Sequence, residues 1–119
     1  MYAQATAIQV PMGTMDQMRH VIEHEYLPRL RTRPGFVRAY FLEQADDADR
    51  ALLIVAWESQ ADVENFARTN MLEASVQALA VRLPGVRIKR DGFLVRVMAG
   101  AEAGGEEEEQ TKPASVIQK

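Results

Sequence analysis

The run from Ala51 to Trp57 constrains the fold more than any other stretch, because all seven of its residues are apolar. A strand with one solvent face alternates apolar and polar residues, whereas a strand that is apolar at every position needs cover on both faces. In a chain of 119 residues, the protein's own helices can cover only one face. We therefore expect the second cover to come from another copy of the molecule.

The composition excludes several classes of protein. The chain has no cysteine, which removes disulfides, thiolate metal sites and iron–sulfur clusters. No apolar run approaches the roughly 20 residues that span a bilayer, and no basic segment leads into a long apolar core at the N-terminus. We therefore expect a cytoplasmic protein without a membrane partner.

The net charge of −3 lies entirely in the last part of the chain, where five glutamates face two lysines over residues 98–119. The remaining 97 residues are neutral, so the basic patch that nucleic-acid binding requires is missing. Small residues, a run of four glutamates and the lack of any periodicity predict a disordered acidic tail over 98–119. The folded domain is expected over residues 1–97.

Alternation and β-branched residues predict four strands, over residues 3–10, 36–43, 50–58 and 86–97, the last with a bulge at Asp91-Gly92. Capping boxes predict helix starts at Thr14 and at Ser59. The last turn of the first helix, which contains Pro28, should be kinked, and the second helix should break near Asn70. One apolar stripe marks the buried side of the first helix: Met15, Met18, Ile22, Tyr26 and Leu30.

The predicted order β-α-β-β-α-β is that of an α+β, ferredoxin-like fold, in which an antiparallel sheet carries both helices on one face. The other face would be bare, and in the third strand it includes large apolar residues. Exposed apolar patches of this size are uncommon on monomers. We therefore expect a symmetric homodimer in which two such faces pair.

Three segments together resemble a known family: Pro34-Gly35-Phe36, Trp57-Glu58-Ser59, and a helix beginning near Ala61. In this order and spacing, over about residues 5–97, the chain resembles the antibiotic biosynthesis monooxygenase family of the dimeric α+β barrel superfamily. The resemblance implies that two subunits pair into a barrel-like dimer, with a pocket between sheet and helices. In some members this pocket oxidises phenols or quinols without metal or flavin; other relatives bind and degrade haem.

The chain departs from the haem-degrading branch, which resembles it around Trp57. That branch typically has a second tryptophan where Phe66 stands and a histidine near Val76, and many other members have a histidine at the Phe66 position. Neither histidine is present here, and no asparagine occurs at residues 6–8. Haem degradation is therefore disfavoured, and a mechanism that uses a histidine of this helix cannot be transferred.

Arg38 and Tyr40 are candidates for chemistry because they alternate on one face of the second strand, in the hairpin that Trp57 ends. A guanidinium and a phenol beside an aromatic wall could hold a substrate phenolate for reaction with oxygen. Tyr26 or His24 could then handle the proton. In the structural alternative, Arg38 and Tyr40 lie at the dimer interface.

Trp57 and Phe66 are the candidate substrate-binding residues, with a place in the core as their structural alternative.

No metal site is expected. The segment His20 to His24 matches H-x-x-E-H, which suits zinc, but such a site needs a further ligand and a larger supporting fold.

The leading hypothesis is a cofactor-independent monooxygenase that acts on an aromatic, phenolic or quinol-type small molecule. It would need no cofactor, only molecular oxygen as co-substrate. The alternative is a non-catalytic module of the same fold that binds a small ligand or a partner, with the acidic tail as its interaction element. Haem binding is a third, weaker hypothesis.

Overall fold

The computed structural model describes residues 1–101, so most of the predicted tail, from residue 102 onward, lies outside the described residues. The described part has the predicted order of elements and is ferredoxin-like. Its strands are β1 (Tyr2–Gln9), β2 (Phe36–Glu43), β3 (Arg50–Trp57) and β4 (Arg87–Leu94). Its α-helices are α1 (Met15–Val21), α2 (Leu27–Leu30), α3 (Gln60–Ala67) and α4 (Met71–Arg82).

The four strands form one antiparallel sheet in the order β2-β3-β1-β4. The helices cover one face of the sheet, which we call the covered face. The other face, which has no helix on it, is called the open face. On β3 the covered face carries four buried side chains: Ala51, Leu53, Val55 and Trp57. The open face carries Leu52, Ile54 and Ala56, which are only partly buried. The prediction that this strand is apolar on both faces is confirmed.

The first helix is continuous from residue 15 to residue 30, but its middle turn, Ile22–Tyr26, is a π-helix. The amide of Leu27 donates to the carbonyl of Ile22, five residues back, which is the π-helical pattern. Pro28 lacks an amide hydrogen and cannot donate to the preceding turn. The prediction of a kink in the last turn is therefore wrong in position: Leu27–Leu30 is α-helical, and the distortion lies one turn earlier.

The two predicted caps have different outcomes. Ser59 caps α3 as expected, because its Oγ accepts a hydrogen bond from the amide of Asp62 at 3.3 Å. The capping box at Thr14 was a wrong prediction, since its hydroxyl donates to the carbonyl of Pro11 at 2.7 Å and caps no amide. The backbone of Thr14, with φ −110° and ψ 11°, is not extended as an N-cap residue usually is.

The second helix breaks where predicted. Asn70 has a left-handed backbone, with φ 57°, and separates α3 from α4. The predicted bulge at Asp91-Gly92 is wrong, because β4 pairs with β1 in an unbroken register from Arg87 to Leu94. The irregularity of the sheet lies instead in β2, between Phe36 and Arg38.

Candidate functional site

A cavity of about 50 Å³ lies between the covered face of the sheet and the helices above it. Its floor comes from β1, β3 and β4, and its roof comes from the first helix and from α4. Only three of its side chains are polar: those of Thr6, Tyr26 and Ser75. The remaining lining residues are apolar: Ile8, Val21, Ile22, Leu53, Val76, Leu79 and Ile88.

Tyr26 is the one phenol of the cavity, and the π-helical turn places it there. Its side chain is buried. Burial disfavours the charged phenolate and raises the pKa of Tyr26 to about 12. The phenol is therefore neutral at physiological pH, which makes it a hydrogen-bond donor toward a ligand oxygen and not a proton acceptor.

Two charged side chains act on the phenol of Tyr26 from opposite elements. Arg90 lies directly opposite Thr6 in the β1–β4 ladder, so it shares the covered face with the floor of the cavity. Its positive charge lowers the pKa of Tyr26, and the negative charge of Glu73, on α4, raises it; both effects are smaller than that of burial. An anionic ligand group beside Tyr26 would therefore meet a cation on the sheet side.

Sequence reasoning did not find Arg90 or the α4 side of this cavity. The sequence does contain a signal that Arg90 belongs to the covered face. Arg90 lies two residues after Ile88, an apolar residue of that face, and residues two apart in a strand point to the same side. A polar residue at such a position marks the edge of a buried surface.

Arg38 and Tyr40 lie together on the open face, where Nη1 of Arg38 donates to the hydroxyl of Tyr40 at 3.3 Å. Trp57 is on the covered face. Arg38 pairs with Ala56, and the residue after Ala56 points to the opposite side of the sheet. The structure therefore does not bring Arg38, Tyr40 and Trp57 together, because strand alternation places the pair and the tryptophan on opposite faces.

Trp57 and Phe66 belong to a filled aromatic cluster. Their ring centroids are 5.2 Å apart, and Phe36 meets the edge of Trp57 at 6.2 Å. The indole Nε1 of Trp57 donates to Oε1 of Gln4 at 3.2 Å, which satisfies its single polar atom. Both side chains are almost fully buried, and neither lines the cavity.

His24 lies on the exposed side of the first helix, where its ring stacks on that of His20 with centroids 4.3 Å apart. Its Nδ1 is 3.2 Å from the carbonyl oxygen of His20. His24 does not line the cavity, so the structure does not bring it together with Tyr26. Within residues 1–101, no group of three or more His, Asp or Glu side chains could hold a metal ion.

A wider groove of about 540 Å³ occupies one end of the open face. Apolar side chains of the strands form its base, including Leu42 and Leu52. Three cationic side chains line it as well: Arg50, Arg87 and Lys89. Two residues, Ile8 and Ile88, line both the groove and the cavity. The groove and the cavity nevertheless open on opposite faces of the sheet.

The fold and the cavity define a class: ferredoxin-like α+β domains with a cavity between sheet and helices. The antibiotic biosynthesis monooxygenase family model matches residues 1–78, and the chain belongs to this family. No curated protein sequence is similar enough to count as a relative. Among the helices of residues 1–101, none is long and apolar enough to cross a membrane.

Solved structures with this fold include enzymes of two kinds. SnoaB, a cofactor-independent oxygenase from Streptomyces nogalater, is 18% identical with a TM-score of 0.69, covering 82% of this chain and 94% of that chain. The ActVA-Orf6 monooxygenase of Streptomyces coelicolor, in complex with nanaomycin D, is 17% identical with a TM-score of 0.68, covering 82% and 89%. The haem-degrader MhuD from Mycobacterium tuberculosis, with two haems bound, is 18% identical with a TM-score of 0.56, covering 82% and 100%.

Proposed function

We propose that this protein is a cofactor-independent monooxygenase that oxidises an aromatic, phenolic or quinol-type small molecule in the cavity beneath the first helix and α4. The observation that carries the proposal is the buried phenol of Tyr26 in an otherwise apolar cavity. The lining of this cavity, apolar with one phenol, matches a flat apolar ring that carries one oxygen, although its volume of about 50 Å³ must increase to admit such a ring. The oxygenases with this fold supply a precedent for the chemistry.

The reaction needs only the substrate and molecular oxygen. A phenol with a free C–H opposite its hydroxyl becomes a quinone: one oxygen atom forms the new carbonyl, and the other leaves as water. The substrate supplies the four electrons that the O₂ molecule accepts, so atoms and electrons balance. The electron-rich anion of the substrate is the species that reacts with oxygen, so the task of the protein is to favour that anion and exclude water.

Two side chains have roles in this scheme. The neutral phenol of Tyr26 donates a hydrogen bond to the substrate oxygen as negative charge develops on it. The charge of Arg90 favours the same anion from the sheet side. Apolar neighbours of Tyr26, such as Ile22 and Leu79, hold the ring and keep water out. Arg90 does not line the cavity and acts on it only through its charge. Arg38 and Tyr40 are left out of the proposed site because they lie on the open face, and His24 is left out because it lies on the exposed side of the first helix.

Haem does not fit the described residues. The chain has two histidines, and both lie on the exposed side of the first helix, where they cannot hold a haem iron in the cavity. The phenol of Tyr26 is the other available ligand type, and its raised pKa disfavours the phenolate that iron would bind. We therefore derive no step through haem.

The test is oxygen uptake by the purified protein with a panel of phenols, naphthoquinols and anthrones, without added metal or flavin. Uptake should exceed the spontaneous rate for at least one compound. Tyr26→Phe should reduce kcat by about 100- to 1,000-fold, as expected when one hydrogen-bond donor to a developing anion is lost. Tyr40→Phe is measured in parallel, because the hydroxyl of Tyr40 lies on the open face.

Three outcomes are distinguishable. A loss in Tyr26→Phe alone supports the cavity as the site. A loss in Tyr40→Phe alone moves the site to the open face and overturns the assignment. Uptake at the spontaneous rate for every compound overturns the enzyme proposal.

A second candidate function, a non-catalytic binding module, is favoured by one observation. Trp57 and Phe66, which would form the aromatic wall of a larger substrate pocket, instead fill the core. Tight binding of a panel compound without oxygen uptake would support this candidate over the enzyme.

We also propose that the molecule is a homodimer that pairs its open faces. Large apolar side chains are exposed there, including Tyr40 at 51%, Leu42 at 48% and Phe93 at 54%. Burying them between two copies would remove apolar surface from water at about 25 cal/mol per Å². A second sheet would also supply the missing cover for Leu52 and Ile54.

A further inference from the structure

Three cationic side chains lie together at one end of the open face. Gln9 pairs with Arg50 on β3 and with Arg87 on β4, so these three residues lie side by side across the sheet. Lys89 follows Arg87 by two residues and therefore points to the same face. All three cations line the groove of the open face, and we call them the cationic cluster: Arg50, Arg87 and Lys89.

The cationic cluster has donors to spare. Within residues 1–101, Arg87 and Lys89 take part in no ion pair, and both side chains are exposed. Arg50 is paired with Asp47 through its Nε at 3.1 Å, which leaves the two terminal nitrogens of the guanidinium for another acceptor. The cluster is therefore able to bind further anions.

The groove has no anion of its own that could neutralise these charges. Among its described lining residues, Glu43 is the one carboxylate. Both oxygens of Glu43 are bonded to Arg19, on the first helix. The groove therefore presents a net positive charge to whatever covers it.

The complementary charge of this chain is in its acidic tail, residues 98–119, which holds five glutamates and two lysines. Four of the glutamates are consecutive, at 106–109. β4 ends at Leu94, about 23 Å along the strand from Arg87. Glu106 follows Leu94 by 12 positions, and a chain of this length spans at most about 40 Å. The run 106–109 is therefore long enough in reach to turn back to the cationic cluster.

We propose that the cationic cluster is the docking site of the acidic tail of the same copy, with the glutamates of residues 106–109 seated on the three cations. A single exposed ion pair is weak. A short tether, however, gives the tail an effective concentration in the millimolar range at its own groove, so several weak pairs act together. The docked tail neutralises the groove and blocks it to other anionic partners.

This docking site is compatible with the proposed dimer. Arg50 lies four residues before Ile54 on β3, which is about 13 Å along a strand. Arg87 and Lys89 lie on β4, which is an edge strand of the sheet. The docked glutamates therefore occupy one end of the open face and leave its centre, around Ile54, to a second copy.

The test uses the fact that Lys89 is the only lysine before the acidic tail. A water-soluble carbodiimide joins an amine directly to a carboxylate that contacts it, without a spacer between them. Applied to the full-length protein at low salt, it should join Lys89 to a glutamate of residues 106–109. Mass mapping of the digested protein identifies this bond, which we call the Lys89 product.

The α-amino group of Met1 is the internal reference. The amide of Val95 donates to the carbonyl of Met1 at 3.0 Å, so the N-terminus lies where the chain leaves β4. An α-amino group has an ordinary pKa of about 8, against about 10.4 for lysine, and is the better nucleophile at neutral pH. A tail that only collides with the folded domain should therefore react more with Met1. Docking should reverse this preference in favour of Lys89.

Arg87→Gln removes a cation of the cluster and leaves the reacting amine of Lys89 in place. It should reduce the Lys89 product by about two- to fivefold, the range that loss of a surface ion pair produces. Arg29→Gln is the matched control, because it makes the same change of charge at an exposed position of α2, over the covered face. It should leave the yield unchanged. In 1 M salt, where the Debye length is about 3 Å, the Lys89 product should fall below the Met1 product.

The remaining outcomes would overturn the proposal. A Met1 product at low salt that equals or exceeds the Lys89 product would show that the tail only collides with the fold. Equal losses in Arg87→Gln and Arg29→Gln would show that net charge, not the cluster, attracts it. A bond from Lys89 to the tail of a second copy, seen as a covalent dimer on a denaturing gel, would overturn the assignment to the same copy. No substrate or turnover is involved, so the result is independent of the oxygen-uptake test.

Discussion

Gly35 packs directly against the side chain of Asp62, so closely that a Cβ at position 35 would overlap the carboxylate. The backbone of Gly35 is also left-handed, with φ 82°, and its carbonyl accepts a hydrogen bond from the amide of Glu58 at 2.8 Å. Asp62 in turn is held by the capping hydroxyl of Ser59. The segments that carry the family resemblance therefore meet at one junction, and their role there is structural.

Gly35→Ala should lower the free energy of unfolding by about 2–4 kcal/mol. A left-handed backbone costs a residue with a Cβ about 1–2 kcal/mol, and displacing Asp62 from the start of α3 adds to this. The measurement is urea unfolding followed by circular dichroism. Gly13→Ala is the matched control, since Gly13 has a similar φ of 80° but no atom within 4 Å of its Cβ position. Equal losses in the two variants would show that the contact with Asp62 contributes nothing.

Trp57→Phe should destabilise the protein by about 2 kcal/mol without changing its fold. The smaller ring leaves space beside Phe66, and the half-buried Oε1 of Gln4 loses its donor. Urea unfolding followed by circular dichroism measures the loss, since Trp57 is the only tryptophan and its fluorescence disappears with it. Unchanged stability together with weaker ligand binding would instead favour the substrate-binding role expected from the sequence.

The order of elements could be predicted because each strand and helix has a local signal. The apolar run of β3, the cap at Ser59 and the break at Asn70 depend on residues close together in the chain, and all three are found. The cap at Thr14 was wrong because the backbone angles there depend on how Pro11 and Gly13 turn, which the capping pattern does not contain.

The site was harder to predict because it depends on which face each strand turns to the helices. Arg38 and Trp57 are close in the hairpin, yet the irregularity at the start of β2 and the register of the ladder place them on opposite faces. The π-helical turn that positions Tyr26 has no clear sequence signal apart from Pro28. The pairing of Arg82 with Glu25, which are 57 positions apart, has no sequence signal at all.

Tyr26 should make the stability of the protein depend on alkaline pH. Burial raises the pKa of its phenol from 10.0 to about 12 in the folded state. Between these values the unfolded chain has lost the proton and the folded chain keeps it, so stability falls as pH rises. The contribution of the neutral, buried phenol to the free energy of unfolding is complete below pH 10 and is lost as pH approaches 12.

Between pH 9 and pH 11, the protein should therefore lose about 1 kcal/mol more stability than the Tyr26→Phe variant, which has no phenol to titrate at this position. Comparing the two proteins by urea unfolding at each pH cancels the titration of all other groups. Parallel pH profiles would show that Tyr26 is not buried in solution as the cavity requires.

The proposed dimer makes a prediction about mass. Sedimentation velocity at micromolar concentrations should give about twice the subunit mass of 13.3 kDa. Ile54→Lys places a charge in the middle of the open face, between Ala5 and Tyr40 in the ladder, and should shift the protein to monomers because an unpaired charge would be buried in the interface. Val81→Lys is the control, because Val81 is 80% exposed on α4 and lies outside that face.

The proposal of a homodimer and the proposal that the cavity is the reaction site can be overturned separately. A mass of one subunit at all concentrations would leave the open face without its second cover, while the cavity on the covered face would be intact. If Ile54→Lys is monomeric and still consumes oxygen with a panel compound, each subunit holds a complete site. If it is monomeric, folded and inactive, the dimer supports the covered face through the sheet that both faces share, and oxygen uptake should then fall with dilution of the parent protein.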